Sequence, residues 1–276
     1  MSIKLVALDL DGTTLDPDSK ITPYTEKVLK AAMDQGVHIL VATGRAFEAV
    51  PEEVKNMEGI EYVVTSNGAA TIRLADRKII YTNYIKSEAM DEVHEVLADC
   101  GFLVEIFIEG RAYVDSYWME HLDDTGLSEL TKEYVRQTRN PVDGLMDLMM
   151  KNRGKIENIN VCFGDPKDRE AMKQKLFKLK GVTITSSVPH NLEIIAENAG
   201  KGQAVRHMCQ LLNLYEDQVM ACGDSSNDQD MIHVAGIGVA MGNAKESLKA
   251  VADYVTESNA EDGVAKAILK FAKVKL

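Results

Sequence analysis

The chain has 276 residues, of which 45% are hydrophobic and 27% are charged, and its formal net charge is −12. These values predict a folded protein with a substantial core, organised as two domains or as one large domain with a smaller insert. So acidic a composition argues against general binding to nucleic acid or to anionic membranes, which both require basic surfaces.

The cysteines and the first residues indicate a cytoplasmic protein. Cys100, Cys162, Cys209 and Cys222 are far apart and lie near apolar neighbours, a spacing that fits neither a zinc site nor a disulfide framework. We therefore expect reduced, buried thiols. The first residues lack the pattern of a secretory signal, and no apolar run reaches the length of a membrane span.

The first predicted strand ends in two carboxylates. Residues 3–8 are apolar except for Lys4, which is typical of a strand buried on both faces, and Asp9-Leu10-Asp11-Gly12 follows. In extended chain Asp9 and Asp11 point the same way, into the crevice where open α/β sheets bind ligands. A polar turn that merely closes the strand is the alternative interpretation, since Asp and Gly are common in turns.

Strands and helices then alternate up to residue 65. In chain order they are a helix between Thr22 and Gly36, a strand over 37–42, a helix over 47–56 and a strand over 62–65. The second strand ends in Thr43-Gly44-Arg45, and the third ends in Ser66-Asn67-Gly68-Ala69. This alternation predicts a doubly wound parallel sheet of the α/β class, which a hairpin over 70–81 interrupts.

Residues 84–189 follow a different pattern. Their predicted elements are helices over 88–98 and 166–178 and strands over 103–108, 156–163 and 182–185. None of these strands ends in reactive residues, so we predict an inserted α+β domain over 84–189 within a core domain formed by 1–83 and 190–276. Packing or exposure is the simplest role for the insert's candidate ligand contacts, which are Arg111, Tyr113, Trp118 and His121.

The alternation resumes after residue 190. The predicted elements are a strand over 192–196, a helix from Lys201-Gly202 to about 212, strands over 219–222, 237–241 and 254–256, and a helix over 262–270. The strand over 219–222 ends in Gly223-Asp224-Ser225-Ser226-Asn227-Asp228. These carboxylates and the amide offer the hard oxygen ligands that Mg²⁺ prefers, although an Asp that caps a helix is the simpler interpretation.

Four segments together resemble the haloacid dehalogenase (HAD) superfamily of aspartyl-phosphate enzymes. In the order of the family's motifs they are Asp9-Leu10-Asp11-Gly12-Thr13, Thr43-Gly44-Arg45, Lys201-Gly202 and Gly223-Asp224-Ser225-Ser226-Asn227-Asp228. The position of the insert resembles the α/β cap domain of the Cof-type phosphatases in this superfamily. The segment Ala196-Glu197-Asn198-Ala199-Gly200 departs from the family pattern, in which Pro or Gly and a β-branched residue usually precede the Lys.

The resemblance implies a role for each of these residues. Asp9 becomes an aspartyl phosphate as the nucleophile, and Asp11 acts as general acid and base. The implied phosphate-binding groups are the backbone of Leu10, Thr43, the Gly44 amide, Lys201 and Asn227. The implied Mg²⁺ ligands are Asp9, Asp224 and the carbonyl of Asp11. Two residues have supporting roles: Asp228 supports Lys201 or the metal ligands, and Arg45 contacts substrate or pairs with a surface carboxylate.

The resemblance therefore predicts a Mg²⁺-dependent phosphatase acting on small phosphorylated metabolites, of which sugar phosphates are the family's usual substrates. A phosphomutase, which moves phosphate between positions of one sugar, is one alternative. A regulator that binds a phosphosugar without turnover is the other, although the presence of both Asp9 and Asp11 argues against it. The sequence predicts neither the particular metabolite nor an oligomeric state.

Overall fold

The structure, a computed structural model, describes residues 2–276 and contains one sheet of eight strands and one of six. The chain divides into two compact units. The first comprises the chain up to Gly44, Pro51–Tyr81 and Gly200–Leu276, and the second comprises Arg45–Val50 and Thr82–Ala199. Strands and helices are numbered in chain order through both units.

The eight-stranded sheet of the first unit carries the predicted strand ends. Its strands are β1 (Leu5–Leu8), β2 (His38–Ala42), β3 (Tyr62–Thr65), β4 (Ala70–Arg73), β5 (Lys78–Thr82), β12 (Val219–Gly223), β13 (Ile237–Ala240) and β14 (Tyr254–Val255). Its helices are α1 (Pro23–Asp34), α2 (Glu52–Lys55), α8 (Lys201–Leu212), α9 (Gln229–Val234), α10 (Glu246–Lys249) and α11 (Gly263–Phe271).

Strand β1 lies in the middle of this sheet, where the strand order reverses. The order is β14-β13-β12-β1-β2-β3-β4-β5, and β1 pairs in parallel with both β2 and β12. Strand β4 runs antiparallel to β3 as part of the predicted hairpin. Ligands of open α/β sheets bind at such a reversal, beyond the carboxyl ends of the strands. The predicted α/β fold with a doubly wound sheet and an inserted α+β domain is confirmed.

The second unit is built on the six-stranded sheet. Its strands are β6 (Leu103–Ile108), β7 (Arg111–Asp115), β8 (Asn140–Val142), β9 (Ile156–Cys162), β10 (Val182–Thr185) and β11 (Asn191–Ala196). Its helices are α3 (Met90–Leu97), α4 (Ser116–Glu120), α5 (Glu129–Thr138), α6 (Leu145–Lys151) and α7 (Pro166–Leu176). Apolar side chains on one sheet face, such as Ile106 and Ile159, pack with α3, α6 and α7 in a buried cluster.

The structure differs from two of the predicted domain assignments, as the pairing of the strands and the division into two units show. The sequence assigned residues 192–196 to the core, but β11 pairs antiparallel with β9 and β10 in the six-stranded sheet. The second unit therefore extends to Ala199, ten residues beyond the predicted limit of 189. Apolar alternation predicts a strand but carries no information about which sheet it joins. Arg45–Val50 also groups with the second unit, although it was assigned to the core.

The helix predicted over 47–56 is shorter than expected. A single tight turn at Phe47–Ala49 precedes the short helix α2, because Pro51 cannot continue a helix that began before it. Within residues 2–276, no helix combines the length and the apolar character that a membrane crossing requires. Cys162, Cys209 and Cys222 are buried, and burial raises the pKa of the Cys222 thiol to about 12.

Candidate active site

Asp9 lies immediately after β1, in the middle of the sheet edge. Its backbone N–H donates to the carbonyl of Cys222 at 3.1 Å, and the Thr14 hydroxyl donates to the Asp9 carbonyl at 2.5 Å. These two bonds fix the Asp9 backbone relative to β12 and to the turn Leu10–Thr14. Gly12 in this turn has φ +76°, and a Cβ there would lie 2.7 Å from Oδ2 of Asp224. Glycine is therefore needed both for the backbone conformation and for the approach of Asp224.

Lys201, the first residue of α8, is fully buried between two carboxylates. Its Nζ donates to Oδ1 of Asp9 at 2.5 Å and to Oδ1 of Asp228 at 2.6 Å. Asp230 holds the start of the helix, because its Oδ2 accepts from the N–H of Gly202 at 2.9 Å. A charged group at 0% exposure requires compensating charges, which Asp9 and Asp228 supply.

Asp228 organises the loop that follows β12. Its Oδ2 accepts from the N–H groups of Asp224 and Ser225 at 3.0 and 2.9 Å, while its Oδ1 accepts from Lys201. Both oxygens of Asp228 are thus engaged. Asp224 receives a hydrogen bond from the Ser225 hydroxyl at 3.2 Å and is partly exposed. We therefore infer that Asp228 positions Lys201 and the loop, while Asp224 remains able to bind a ligand.

Three carboxylates gather here around one ammonium group. One oxygen from each of Asp9, Asp224 and Asp228 lies within 4.8 Å of the others, and the ammonium group of Lys201 contacts Asp9 and Asp228. With all four groups ionised, two negative charges remain uncompensated. A divalent cation would neutralise them, and carboxylate oxygens are the ligands that such hard cations prefer.

The pKa values reflect the same excess of negative charge. Burial raises the pKa of Asp9 well above its usual range; the Asp228 carboxylate raises it further, Lys201 opposes the rise, and Asp224 and Asp11 add to it. Burial and the Asp228 carboxylate raise the pKa of Asp224 to about 7. Burial lowers the pKa of Lys201, but Asp228 and Asp9 outweigh it and raise the pKa above its ordinary value. A cation would stabilise the ionised form of both Asp9 and Asp224.

The residues at the ends of β2 and β3 lie against each other. Thr43 is buried, its N–H donates to Val64, and its carbonyl accepts from the N–H of Asn67 at 3.1 Å. Asn227 donates through Nδ2 to Oδ1 of Asn67 at 2.9 Å. A Cβ at Gly44 would lie 3.1 Å from the same Asn67 oxygen. Asn67 thus links two predicted phosphate-binding positions, Gly44 and Asn227.

Arg45 and the candidates in the insert belong to the second unit. The Arg45 guanidinium donates to the carbonyl of Ala49 at 2.9 Å and lies 5.4 Å from the ring centroid of Tyr134. Arg111 lies 3.9 Å from the Glu48 carboxylate on the surface. The other candidates take packing roles: Tyr113 and Trp118 are partly buried against apolar clusters, and the ring of His121 stacks on Tyr117.

Comparison with known proteins identifies the family. Residues 6–268 match the haloacid dehalogenase-like hydrolase family. The chain belongs to this family. The predicted resemblance to the HAD superfamily and its Cof-type phosphatases is therefore confirmed, as is the prediction of a phosphoric monoester hydrolase.

The relatives of this HAD hydrolase are similar to it over almost their whole length. The 5-amino-6-(5-phospho-D-ribitylamino)uracil phosphatase YcsE of Bacillus subtilis is 29% identical, covering 97% of this chain and 95% of that protein. The phosphatase YwpJ of the same organism is 30% identical, over 95% and 98%. A solved haloacid dehalogenase-like hydrolase from B. subtilis has a TM-score of 0.85 at 28% identity, over 97% and 99%.

Two turns of this HAD hydrolase that received no role from the sequence contact the site. One is the Ser66–Gly68 turn, which carries Asn67. The other carries Asn243, whose Nδ2 donates to the carbonyl of Gly12 at 2.8 Å, in the turn that follows Asp9. Each turn follows a strand of the eight-stranded sheet, so position at the carboxyl edge was the signal that could have identified both.

Proposed function

We propose that the protein is a Mg²⁺-dependent phosphatase that hydrolyses small phosphorylated metabolites, sugar phosphates above all, through an aspartyl phosphate on Asp9. The observation that carries this proposal is the pairing of a buried Asp9 carboxylate with Lys201, next to Asp224. A phosphatase active site needs a nucleophile, a positive charge for the phosphoryl oxygens and a cation site, and these three side chains supply them.

Asp9 and Asp11 would carry out the two chemical steps. Lys201 holds Oδ1 of Asp9, so Oδ2 can attack phosphorus while the bond from phosphorus to the ester oxygen breaks. Asp11, whose side chain is exposed beside Asp9, donates a proton to the departing alcohol. The Asp11 carboxylate then takes a proton from water as the water oxygen attacks phosphorus. Orthophosphate leaves, Asp9 is restored as a carboxylate and Asp11 is again protonated.

The remaining groups would bind the phosphoryl oxygens. The Thr43 hydroxyl and the backbone N–H groups of Leu10 and Gly44 are donors at the ends of β2 and β1, and Lys201 supplies a full positive charge. Asp9, Asp224 and the Asp11 carbonyl would hold Mg²⁺, which adds positive charge next to the phosphoryl group when bound. Asp228 acts through Lys201, because both of its oxygens are already engaged.

Relatives support the substrate class. YcsE of B. subtilis is named for a phosphorylated ribitylaminouracil, in which the phosphate ends a hydroxylated carbon chain as it does in a sugar phosphate. The net charge of −12 supports a small substrate over a nucleic acid, because only a local positive group such as Lys201 can attract an anion to this protein.

The proposal is tested by assaying phosphate release from a panel of sugar and sugar-alcohol phosphates, with MgCl2 and with EDTA. We expect release from some members of the panel with MgCl2 and none with EDTA. Asp9→Asn should lower kcat by about 10⁴-fold or more while the protein still folds, whereas the exposed control Asp18→Asn should match the wild type. Phosphate moved within one sugar would indicate a mutase, and binding without any turnover would indicate a regulator; either result contradicts the proposal.

A further inference from the structure

Asn67 and Asn227 form a buried pair of side-chain amides at the proposed active site. A single hydrogen bond of 2.9 Å joins them, from Nδ2 of Asn227 to Oδ1 of Asn67. Asn67 is 1% exposed and Asn227 is 8% exposed. Each side chain uses only one of its two polar atoms in this bond, so each has another polar atom that could bind a ligand.

Those two atoms are buried and unpaired. Nδ2 of Asn67 and Oδ1 of Asn227 have no hydrogen-bond partner among the described residues 2–276. A buried donor without a partner is destabilising, so a folded protein keeps one where a ligand satisfies it. The Nδ2 atom of Asn67 is a neutral donor in a site that already carries an excess of carboxylates, and it would favour an anionic oxygen.

The Asn67 amide lies beside the predicted phosphate-binding loop. A Cβ at Gly44 would lie 3.5 Å from Nδ2 of Asn67, so no side chain separates this amide from the Gly44 backbone. The Asn67 backbone is itself anchored there, since its N–H donates to the Thr43 carbonyl. Thr43, Gly44 and Asn67 therefore form one group of potential donors at the ends of β2 and β3.

The backbone holds this amide at some energetic cost. Ser66 and Asn67 are consecutive left-handed residues, with φ values of +51° and +55°. Gly68 follows with φ +92°, and a Cβ there would lie 2.2 Å from the carbonyl of Gly200, the residue before Lys201. Strained backbone of this kind persists where the surrounding structure enforces it, which is common at ligand sites. The contact with Gly200 fixes the Asn67 turn relative to Lys201.

We propose that Asn67 contacts the bound phosphoryl group directly. Its Nδ2 donates to a phosphoryl oxygen while its Oδ1 holds the amide of Asn227 in place. This inference rests on the proposed function for the identity of the anion, and it adds a donor that none of the four HAD motif segments contains.

The test measures binding of inorganic phosphate, the expected product, by calorimetry in MgCl2. Asn67→Gly removes the amide but tolerates the left-handed backbone, and Asn67→Asp keeps an acceptor for Asn227 but replaces the donor by an oxygen. The matched controls are Asn213→Gly and Asn213→Asp, because Asn213 is also left-handed, with φ +55°, but is exposed at the end of α8. We expect both Asn67 variants to weaken phosphate binding by roughly 10- to 100-fold and both controls to match the wild type.

The outcomes separate this inference from the proposed function. If Asn67→Gly and Asn67→Asp bind phosphate as the wild type does, or if the wild type binds none, the inference is wrong, whatever the turnover. If phosphate binding depends on Asn67 but no phosphate ester is hydrolysed, the inference stands and the phosphatase proposal fails. If the Ser66–Gly68 turn only shapes the backbone, Asn67→Gly should retain its affinity for phosphate and should have the same KM as Asn213→Gly. This result would also overturn the inference.

Discussion

The two sheets each contain a buried ionic cluster, and the clusters differ in charge balance. In the six-stranded sheet, Arg139 donates through Nε and Nη2 to the two oxygens of Glu105, at 2.8 and 2.9 Å, so one charge meets one opposite charge. In the eight-stranded sheet, Lys201 contacts two carboxylates and a third lies close by. The Arg139–Glu105 pair is balanced in itself, whereas the second cluster has an excess of negative charge that a cation can neutralise.

Polar neighbours reinforce this difference. Asn160 donates to Oε2 of Glu105 at 2.8 Å, and Asn191 donates to Oδ1 of Asn160 at 3.0 Å. Burial lowers the pKa of Arg139, but the Glu105 carboxylate outweighs it and raises the pKa above its ordinary value. Charge imbalance, more than burial, therefore distinguishes the candidate active site from a structural ion pair.

Removing Lys201 should have the largest effect, because it affects both catalysis and stability. Lys201→Met leaves Asp9 and Asp228 buried without their positive partner, which costs about 3–5 kcal/mol of unfolding free energy. We expect kcat to fall by about 10²-fold or more, since the phosphoryl oxygens lose a full charge. Denaturant melts and steady-state kinetics on a responsive phosphate ester measure both quantities. Near-wild-type kcat in this variant would remove Lys201 from the mechanism.

Breaking the Arg139–Glu105 ion pair should lower the stability of the protein without a comparable loss of activity. Arg139→Met leaves Glu105 buried and uncompensated, so we expect a loss of about 3–5 kcal/mol, most of which Glu105→Leu in the same chain should restore. Measured well below the melting temperature, kcat of the double variant should stay within a few-fold of the wild type. A drop in kcat as large as that of Lys201→Met would mean that this pair, too, belongs to the functional site.

In the metal-free protein, the excess of negative charge around Lys201 should make the melting temperature depend on pH. We expect this effect to be smaller than those of the substitutions above. The pKa of Asp224 is about 7 in the folded protein and 3.8 ordinarily, so the folded state binds this proton more tightly. The contribution of the Asp224 proton to the free energy of unfolding is complete below about pH 4 and is lost as the pH rises through about 7. The pKa of Asp9 is raised in the same way, so Asp9 contributes with the same sign. In EDTA the melting temperature should therefore fall across this range, and MgCl2 should stabilise the protein more at pH 8 than at pH 6.

Asp224→Asn is the control for that measurement. This variant carries no ionisable group at position 224, so its melting temperature in EDTA should depend less on pH and MgCl2 should stabilise it little. A wild-type protein whose melting temperature in EDTA does not change between pH 4 and pH 8 would contradict the inferred charge imbalance.

The sequence predicted the parts of the site that follow from strand ends. Asp9, Asp224 and Asp228 come together because the parallel strands β1 and β12 bring their carboxyl ends to one edge, and the order of strands and helices was readable from apolar periodicity. Lys201 joins them from the start of α8, although the strand before it, β11, belongs to the other sheet. Their catalytic roles stay proposals. The bond that joins Asn67 to Asn227, 160 residues away, was not predictable, because apolar periodicity does not show which polar side chains meet.

The insert was less predictable for a physical reason. Strand β11 has the same apolar character as the core strands, and only its pairing with β9 assigns it to the other sheet. Helix α5 was missed because its face toward the sheet is short, with Val135 as its one buried apolar side chain. Antiparallel α+β arrangements lack the regular strand–helix repeat from which a doubly wound sheet can be predicted.

The central place of β1 affects how the protein can be synthesised. Its neighbour β12 lies near the other end of the chain, and the bond between Lys201 and Asp9 joins residues 192 positions apart. While a ribosome is still producing the intervening residues, Asp9 has neither its ammonium partner nor the strand that fixes its backbone. Pairings this distant in the chain form slowly. A nascent chain that stops before residue 219 therefore cannot bring Asp9 together with Asp224 and Asp228, and this cluster forms only when synthesis is nearly complete.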